Sequence, residues 1–335
     1  MNKKLLFTLL QYAIFFGLAF ALIVWQYQKL SPGDLAQIKE AFRQVQGRLW
    51  LLFPITIVGF LSHLFRALRW KLLLQPLHLR PSIFNITAAV LVGYLVNLLL
   101  PRMGEVARCT VLARYEKEPA DKIIGTIVAE RSFDLICLVL VAALAFAIQV
   151  DVVRDYAAGL YTQLSAKSGV LVTAGGVLVG LIAVLFIIYK KGKNSKIGGF
   201  IAGLGSGISA IWKMKSRALF LLYTLLIWAC YLGLIYIGFF SLDATMGLGI
   251  KAALSVLVFG SLGMIVTPGG LGAYPIAVQE VLQQLYGVTA AMGLAFGWVS
   301  WLVQTLLLLV LGLLALLFLP IYNRRHEQAH RLDRK

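Results

Sequence analysis

The stretch NLLLPRMGEVARC, residues 97–109, decides the fold because it combines a helix break with charged side chains. Arg102, Glu105 and Arg108 come directly after the apolar run from Ile83 to Leu100. Charges at membrane depth are rare because hydrocarbon does not solvate them, and each costs roughly 2.5–3.5 kcal/mol on insertion scales. Side chains kept at such a cost usually serve a function, so these three are the first site candidates.

The composition indicates that the surroundings are a membrane. Of the 335 residues, 60% are hydrophobic and only 13% are charged. Several uninterrupted apolar runs reach the roughly 20 residues that a helix needs to cross a bilayer. The chain is therefore predicted to be an all-α polytopic integral membrane protein. Its net charge of +17 lies in short connections beside apolar segments, which argues against nucleic-acid binding.

Six segments are predicted to cross the membrane fully. They are residues 5–27, 49–65, 122–148, 169–189, 218–240 and 291–319. The first is interpreted as an uncleaved span, because its apolar run continues to Trp25 and is too long for a signal peptide.

The loop charges predict the orientation of these spans. Strongly basic segments face the cytoplasm, together with both termini. They are the residues around Lys3 and Lys4 and the ranges 66–80, 190–217 and 324–335, with 197–217 predicted as an amphipathic stretch on the inner leaflet. The connections 28–48, 149–168 and 241–251 also carry acidic residues and are predicted to face out.

Two further apolar regions do not fit as simple crossings. Residues 81–115 begin and end beside cytoplasmic segments, and Pro101 and Gly104 break them in the middle, which predicts a re-entrant helical hairpin. Residues 250–288 begin and end outside and break at TPGGLGAYP, residues 267–275. This predicts a second hairpin that enters from the opposite face. The breaking residues of the second hairpin are Pro268, Gly269, Gly270, Gly272 and Pro275.

The order of spans and hairpins is the same in both halves, with the second half inverted. We therefore expect one membrane domain, 1–335, built as an inverted-topology repeat, the arrangement in which transporters form a midplane substrate site. The first repeat covers 5–150, the second covers 169–320, and a basic cytoplasmic tail follows at 321–335. A weak similarity between the two halves supports the repeat, since Gly93 and Gly260 each stand eight residues before the breaking proline.

Broken helices predict a polar cavity, because unpaired backbone groups are tolerated only against protein or water. A helix that begins after Gly272 would present free amides there and favour an anion. The alternative is a glycine and proline kink that serves only close helix packing.

Two groups of charges are candidates for one polar cluster. Glu105 lies three positions from both Arg102 and Arg108, within pairing reach of each. In TIVAERSFD, residues 126–134, Glu130 and Asp134 are four apart, and Arg131 is three before Asp134. The alternatives are a buried ion-pair network that fixes helix register, or charges at the headgroup level.

Arg66 and Arg69 share a helix face in HLFRALRWKLL, residues 63–73. Guanidinium groups suit a phosphodiester, so both are candidates for a cytoplasmic headgroup contact. The alternative is that the two arginines snorkel, with their charged ends reaching the membrane surface, and that Trp70 beside them is an interfacial residue.

Three motifs in this order resemble the flippase-like membrane domain family, the transmembrane region of bacterial lysylphosphatidylglycerol synthases and flippases. They are NLLLPRMGEVARCTVLARYEK at 97–117, GTIVAERSFDL at 125–135 and VTPGGLGAYP at 266–275, and the likeness extends from about Arg66 to Pro320. The resemblance implies a lipid path through the matching positions. These are Pro101, Arg102, Gly104, Glu105, Arg108, Glu130, Arg131, Asp134, Pro268, Gly269, Gly270 and Gly272.

The resulting expectation is a stand-alone flippase-like lipid transporter in the bacterial cytoplasmic (inner) membrane. It moves a phospholipid or an isoprenoid lipid with an anionic or zwitterionic headgroup between leaflets. The sequence is compatible with a homo-oligomer. Glu105, Glu130 or Asp134 is a candidate for proton coupling. Because no soluble aminoacyl-transfer domain follows the last span, we expect no lipid lysinylation.

Two other classes of function remain as alternatives, namely a non-transporting membrane scaffold and an intramembrane lipid-modifying enzyme. The sequence contains no HExxH, GxSxG or P-loop pattern, and only His63 of its four histidines lies near a span. Cys109, Cys137 and Cys230 stand singly, without metal-ligand spacing. We therefore expect no enzymatic activity, no metal and no cofactor.

Overall fold

The computed structural model describes residues 3–100, 103–116, 120–148 and 214–332, and every regular element within these ranges is helical. The helices are α1 (Lys3–Lys29), α2 (Pro32–Gly47), α3 (Leu52–Leu74), α4 (Ile83–Leu99), α5 (Gly104–Glu116), α6 (Ala120–Ile148), α7 (Arg217–Phe239), α8 (Asp243–Met246), α9 (Ile250–Val266), α10 (Ala273–Tyr286) and α11 (Ala290–Leu332). Short 3₁₀ turns occupy Leu49–Leu51, Gln75–Leu77 and Pro268–Gly270.

The chain divides into two compact units. One consists of Met1–Thr126 with Ala218–Lys335, and the other is Ile127–Arg217. The first contains α1 to α5, the start of α6 and the helices from α7 onward. In the second, the structure describes the remainder of α6 and residues 214–217.

Four described helical segments are long and apolar enough to cross a membrane. They are Leu49–Leu77, Ile123–Ile148, Arg217–Phe239 and Ala290–Arg324. They match four of the six predicted spans, so the prediction of a multi-pass helical membrane protein is confirmed. Helix α1 covers the predicted span 5–27, and the predicted span 169–189 lies outside the described residues.

At two predicted span ends the helix continues beyond the predicted residue. Helix α3 contains the predicted span 49–65 from Leu52 onward and runs on to Leu74, so Arg66 and Arg69 lie on this helix, where both are buried. The last span was expected to end at 319, yet α11 passes through Pro320 and reaches Leu332, so most of the predicted tail is helical. A proline removes one backbone donor, and membrane helices tolerate this loss.

Helices α4 and α5 form the first hairpin. Gly93 and Gly104 allow the close approach of the two arms, since a Cβ atom on Gly93 would lie 2.8 Å from the Gly104 carbonyl oxygen. The Gly104 amide donates to Asn97 Oδ1 at 2.7 Å, which closes the turn. With 17 and 13 residues, the arms are about 25 and 20 Å long. Both are shorter than the hydrocarbon core of about 30 Å.

Helices α9 and α10 form the second hairpin around the Pro268–Gly270 turn. A Cβ atom on Gly260 would lie 2.8 Å from the Tyr274 ring, and one on Gly263 would lie 2.9 Å from the Ala273 carbonyl oxygen. Gly93 and Gly260, which stand at equivalent places before the two prolines, therefore both lie where the arms of their hairpins touch.

The two hairpins pack along α11 in opposite directions. Near the beginning of α11, Gly297 contacts the backbone of Pro275 in α10, and Trp301 Nε1 donates to the Gly269 carbonyl oxygen at 2.7 Å. The tip of the second hairpin therefore points toward the middle of α11.

The first hairpin covers the other half of α11. A Cβ atom on Gly312 would lie 2.6 Å from Leu95 Cβ, and the side-chain amides of Asn323 and Asn85 exchange hydrogen bonds of 2.8 and 3.0 Å. Its base is thus near the end of α11 and its tip near the middle. The tips meet at Leu98 and Gly269. A Cβ atom added to Gly269 would lie 3.9 Å from the Leu98 side chain.

Helix α2 occupies the connection 28–48, for which the sequence predicted no helix. Ser31 and Asp34 form a capping box, in which the Asp34 amide donates to Ser31 Oγ at 3.2 Å and the Ser31 amide to Asp34 Oδ2 at 2.9 Å. Gln44 Oε1 accepts from the Asp243 amide at 3.0 Å. The connections 28–48 and 241–251 therefore lie on the same side of the helices, as the predicted topology requires.

Candidate functional site

The centre of the candidate site is a pair of buried arginines on α3. Arg66 and Arg69 are 4% and 0% exposed, and their three-residue spacing puts them on one helix face. Arg66 Nη2 donates to Tyr231 Oη at 2.8 Å, and Arg69 Nη1 donates to Thr224 Oγ1 at 3.3 Å. Both guanidinium groups thus point into the protein. The interpretation of these arginines as snorkelling side chains is therefore wrong.

The two hydroxyl partners come from α7, and neither was among the site residues predicted from the sequence. Thr224 and Tyr231 are seven residues apart, so they face the same direction from an otherwise apolar helix. The order of the contacts shows that α3 and α7 run antiparallel, because the later arginine meets the earlier hydroxyl. Polar side chains at a seven-residue interval in an apolar span were the signal that could have revealed them.

Trp70 links the α3 arginines to the first hairpin. Its side chain is fully buried, so the interpretation of Trp70 as an interfacial residue is also wrong. Its Nε1 donates to Thr126 Oγ1 at 2.8 Å, which fixes the orientation of the ring. Arg108 Cζ lies 4.6 Å from the centre of that ring, within the range of a cation–π interaction. The indole therefore connects α3, α5 and the start of α6.

Arg108 is the third buried arginine, with 3% exposure. Its position depends on Gly93, because a Cβ atom at Gly93 would lie 2.9 Å from Arg108 Cβ. We refer to Arg66, Arg69 and Arg108 as the arginine cluster. Burial of a charged group costs several kcal/mol of folding free energy, even after the surrounding protein relaxes. Three buried arginines in one compact unit therefore represent a large cost in stability.

Aromatic rings from α3 and α4 cover Arg66. Its Cζ lies 5.9 Å from the centre of the Tyr94 ring, and the His63 ring lies 5.0 Å from the same tyrosine. His63 is only 8% exposed, so its ring is buried within the protein. The cluster is therefore surrounded by hydroxyl groups and aromatic faces from two spans and one hairpin.

The acidic candidates lie on two helices. Glu105 is half-buried in the first turn of α5, one turn before Arg108. Glu130 is fully buried on α6, in the part that belongs to the second compact unit. On the same helix, Arg131 Nη1 lies 3.9 Å from Asp134 Oδ2, which agrees with the predicted three-residue pairing. Pro101 and Arg102 lie outside the described residues.

The break in the second hairpin requires glycine. Gly269, Gly270 and Gly272 have φ angles of 60°, 74° and 76°, a region that other residues rarely adopt. A Cβ atom on Gly272 would also lie 3.2 Å from the Ala19 carbonyl oxygen in α1. These contacts support the close-packing interpretation of the break. Anion binding at the start of α10 stays a prediction.

A cavity of about 50 Å³ lies between α3, α7 and α11. Arg48, Ser241, Ser300 and Gln304 supply its polar lining, and the rest is mostly apolar. It is distinct from the polar chamber predicted between the hairpin tips, which stays a prediction. Among the described residues, no group of three or more His, Cys, Asp or Glu side chains could hold a metal ion.

Comparison with known proteins agrees with the resemblance noted from the three motifs. Residues 9–312 match the family described as "Lysylphosphatidylglycerol synthase TM region". A UPF0104 membrane protein of Methanothermobacter thermautotrophicus is 22% identical over 315 residues, which cover 86% of this chain and 89% of that protein. No solved structure matches the chain significantly. Because the match spans most of its length, the chain belongs to the lysylphosphatidylglycerol synthase transmembrane-region family.

Proposed function

We propose that the protein is a flippase-like transporter that moves a phospholipid or another lipid with an anionic or zwitterionic headgroup between leaflets. In this proposal it has six full spans and two re-entrant hairpins, lies in the bacterial cytoplasmic membrane with both termini in the cytoplasm, and has no enzymatic activity. The observation that carries the proposal is the arginine cluster, which is buried beside the first hairpin.

The depth of the cluster supports a role in transport. Arg108 is four residues from the start of α5, or about 6 Å from the tip of the first hairpin. Tyr94, which faces Arg66, is five residues from the end of α4, or about 8 Å from the same tip. If both hairpins enter the membrane from opposite faces, their meeting tips lie near its midplane, where inverted-repeat transporters bind substrate.

The chemistry of the cluster suits a phosphate-containing headgroup. Guanidinium groups donate in a planar fork that matches phosphate oxygens, and the tyrosine and threonine hydroxyls beside them add further polar contacts. The main barrier to lipid translocation is the transfer of a polar headgroup through hydrocarbon. A polar path of this kind lowers that barrier, while the acyl chains stay in the bilayer.

Two energy sources are compatible with this path. With a negative interior, outward movement of a net anionic lipid gains about 2.3 kcal/mol per charge per 100 mV. Proton coupling through Glu105, Glu130 or Asp134 is the second route.

The test is translocation of a fluorescent phospholipid in liposomes that contain the purified protein, measured by an impermeant reductant added outside. Arg66→Gln and Arg108→Gln should each slow translocation by about 10- to 100-fold, because a hydrogen bond to a charged group contributes about 1.5–3 kcal/mol. Arg114→Gln is the matched control, since Arg114 is exposed on the same helix as Arg108. This variant should keep the wild-type rate.

Three results would contradict the proposal. Wild-type liposomes that translocate lipid no faster than protein-free liposomes would favour a scaffold. Chemical change of the lipid would favour an enzyme. Folded Arg66 and Arg108 variants with an unchanged rate would remove the arginine cluster from the path.

A further inference from the structure

The face of helix α2 that packs against the protein carries polar side chains together with apolar ones. Gln37, Ala41 and Gln44 follow one another at intervals of four and three residues, which places them on one side of the helix, and Ile38 and Val45 are half-buried beside them. Ala41 at the centre of this face is fully buried.

Hydrogen bonds hold this face to two connections of the same compact unit. Gln37 Oε1 accepts from Thr289 Oγ1 at 3.0 Å, just before α11. Arg48 Nη1 donates to the Phe240 carbonyl oxygen at 3.1 Å, and its Nη2 forms an ion pair with Asp243. Helix α2 therefore has a fixed rotation about its axis.

The opposite face exposes a row of large apolar side chains. Leu35 and Phe42 are spaced by seven residues on α2 and are 41% and 40% exposed. Leu49, in the 3₁₀ turn that follows the helix, is 55% exposed. Trp50 and Phe53 continue this surface into the start of α3, with exposures of 67% and 74%. Such a row in water would be an aggregation site, so a different medium must cover it.

Basic side chains border the apolar row. Lys39 is exposed, four residues after Leu35 and three before Phe42, so it is a surface neighbour of both. Arg43 is also exposed and pairs with Glu40 at 3.0 Å. An apolar row next to cationic groups is the pattern of helices that lie in the membrane interface.

The neighbouring elements place α2 at an interface. It connects α1 to α3, and its 16 residues span only about 24 Å. At the end of α1, Trp25 and Tyr27 are 47% and 66% exposed, and Lys29 Nζ lies 3.8 Å from the centre of the Trp25 ring. Exposed Trp and Tyr side chains beside a lysine are typical of the headgroup level of a bilayer.

We propose that α2 is an interfacial helix that binds the lipid surface of the membrane that the chain spans. Leu35, Phe42 and Leu49 enter the acyl boundary, while Lys39 contacts lipid phosphates. The lipid-bound helix thereby holds the connections that precede α11 and follow α7. This inference rests on the membrane topology of the chain and is independent of lipid transport.

The test uses the full chain in liposomes of phosphatidylcholine and phosphatidylglycerol, with nitroxide labels on α2. Leu35→Cys and Phe42→Cys are compared with Ala36→Cys and Arg43→Cys, which are also exposed but are rotated by about 100° around the helix. Collisions of the label with oxygen report lipid, and collisions with a water-soluble nickel complex report solvent. The unmodified chain supplies the background from the three native cysteines.

The expected result is a ratio of oxygen to nickel collisions that is higher at 35 and 42 than at 36 and 43. Equal access of the nickel complex to all four positions would overturn the proposal, because α2 would then face water. Labels at 35 and 42 that neither reagent reaches would also overturn it, because protein would then cover the face. As a second measurement, the tryptophan emission of the wild type is compared with that of Trp50→Phe. The part of the emission that comes from Trp50 should be quenched by brominated lipid.

Discussion

Replacement of Gly93 by alanine tests the packing that positions Arg108. A Cβ atom at Gly93 would lie 2.8 Å from the Gly104 carbonyl oxygen and 2.9 Å from Arg108 Cβ, whereas ordinary contacts begin at 3.4 Å. The α5 arm must therefore move by about 0.5 Å or more, at a cost of typically 1–3 kcal/mol for overpacking. Helix propensity alone predicts the opposite sign, because alanine is favoured over glycine by about 0.8–1.0 kcal/mol in a helix.

Gly125→Ala is the matched control for this substitution. Gly125 is also helical, but a Cβ atom there meets nothing within 4 Å among the described residues. The propensity gain is common to both variants, so the difference between them isolates the overpacking cost of about 1–3 kcal/mol. The assay is the free energy of unfolding in a detergent titration, supported by the thermal midpoint. Equal stability of the two variants would refute the proposed contact between the hairpin arms.

Three further predictions concern single contacts. Tyr231→Phe removes one acceptor of the buried Arg66 side chain, so the free energy of unfolding in the same titration should fall by about 1–3 kcal/mol, and no change would show that the hydroxyl is dispensable. Trp70→Phe keeps an aromatic ring beneath Arg108 but loses the indole donor to Thr126, so a loss of about 1 kcal/mol is expected, whereas a gain would contradict the contact. The pKa of Asp34 lies below its ordinary 3.8 because the Ser31 side chain and amide donate to the carboxylate, so its stabilisation is present above pH 3.8 and is lost as the pH falls through the lowered pKa. Asp34→Asn should accordingly lower the thermal midpoint at about pH 6, and this effect should shrink as the pH falls from 3.8 through the lowered pKa; an effect that does not change with pH would exclude the charged cap.

The breaks and most spans were predictable because they depend on local composition. Runs of about 20 apolar residues indicate membrane helices wherever they occur. Pro101 and Pro268, each followed within a few residues by glycine, interrupt such runs at the two places where the structure has helical hairpins. The spacing of Arg131 and Asp134 predicted their contact for the same reason, since both lie on one helix.

The environment of the arginines was not predictable in this way. Arg66 was expected at the cytoplasmic end of the second span, either as a headgroup contact or as a snorkelling side chain, whereas it donates a hydrogen bond to Tyr231, 165 residues further along the chain. Helix α2 was missed because its amphipathic pattern is meaningful only when one knows which face packs on the protein.

The amino-acid sequence by itself determined that this chain is a helical membrane protein with two broken segments, because hydrophobic length and helix-breaking residues act locally. Only the tertiary structure decided that Arg66, Arg69 and Arg108 are buried and that the hairpin tips meet beside α11. Whether a charge is buried depends on the hydroxyl groups and rings that distant segments bring to it. Such partners are set by the packing of helices, which no local pattern in the chain specifies.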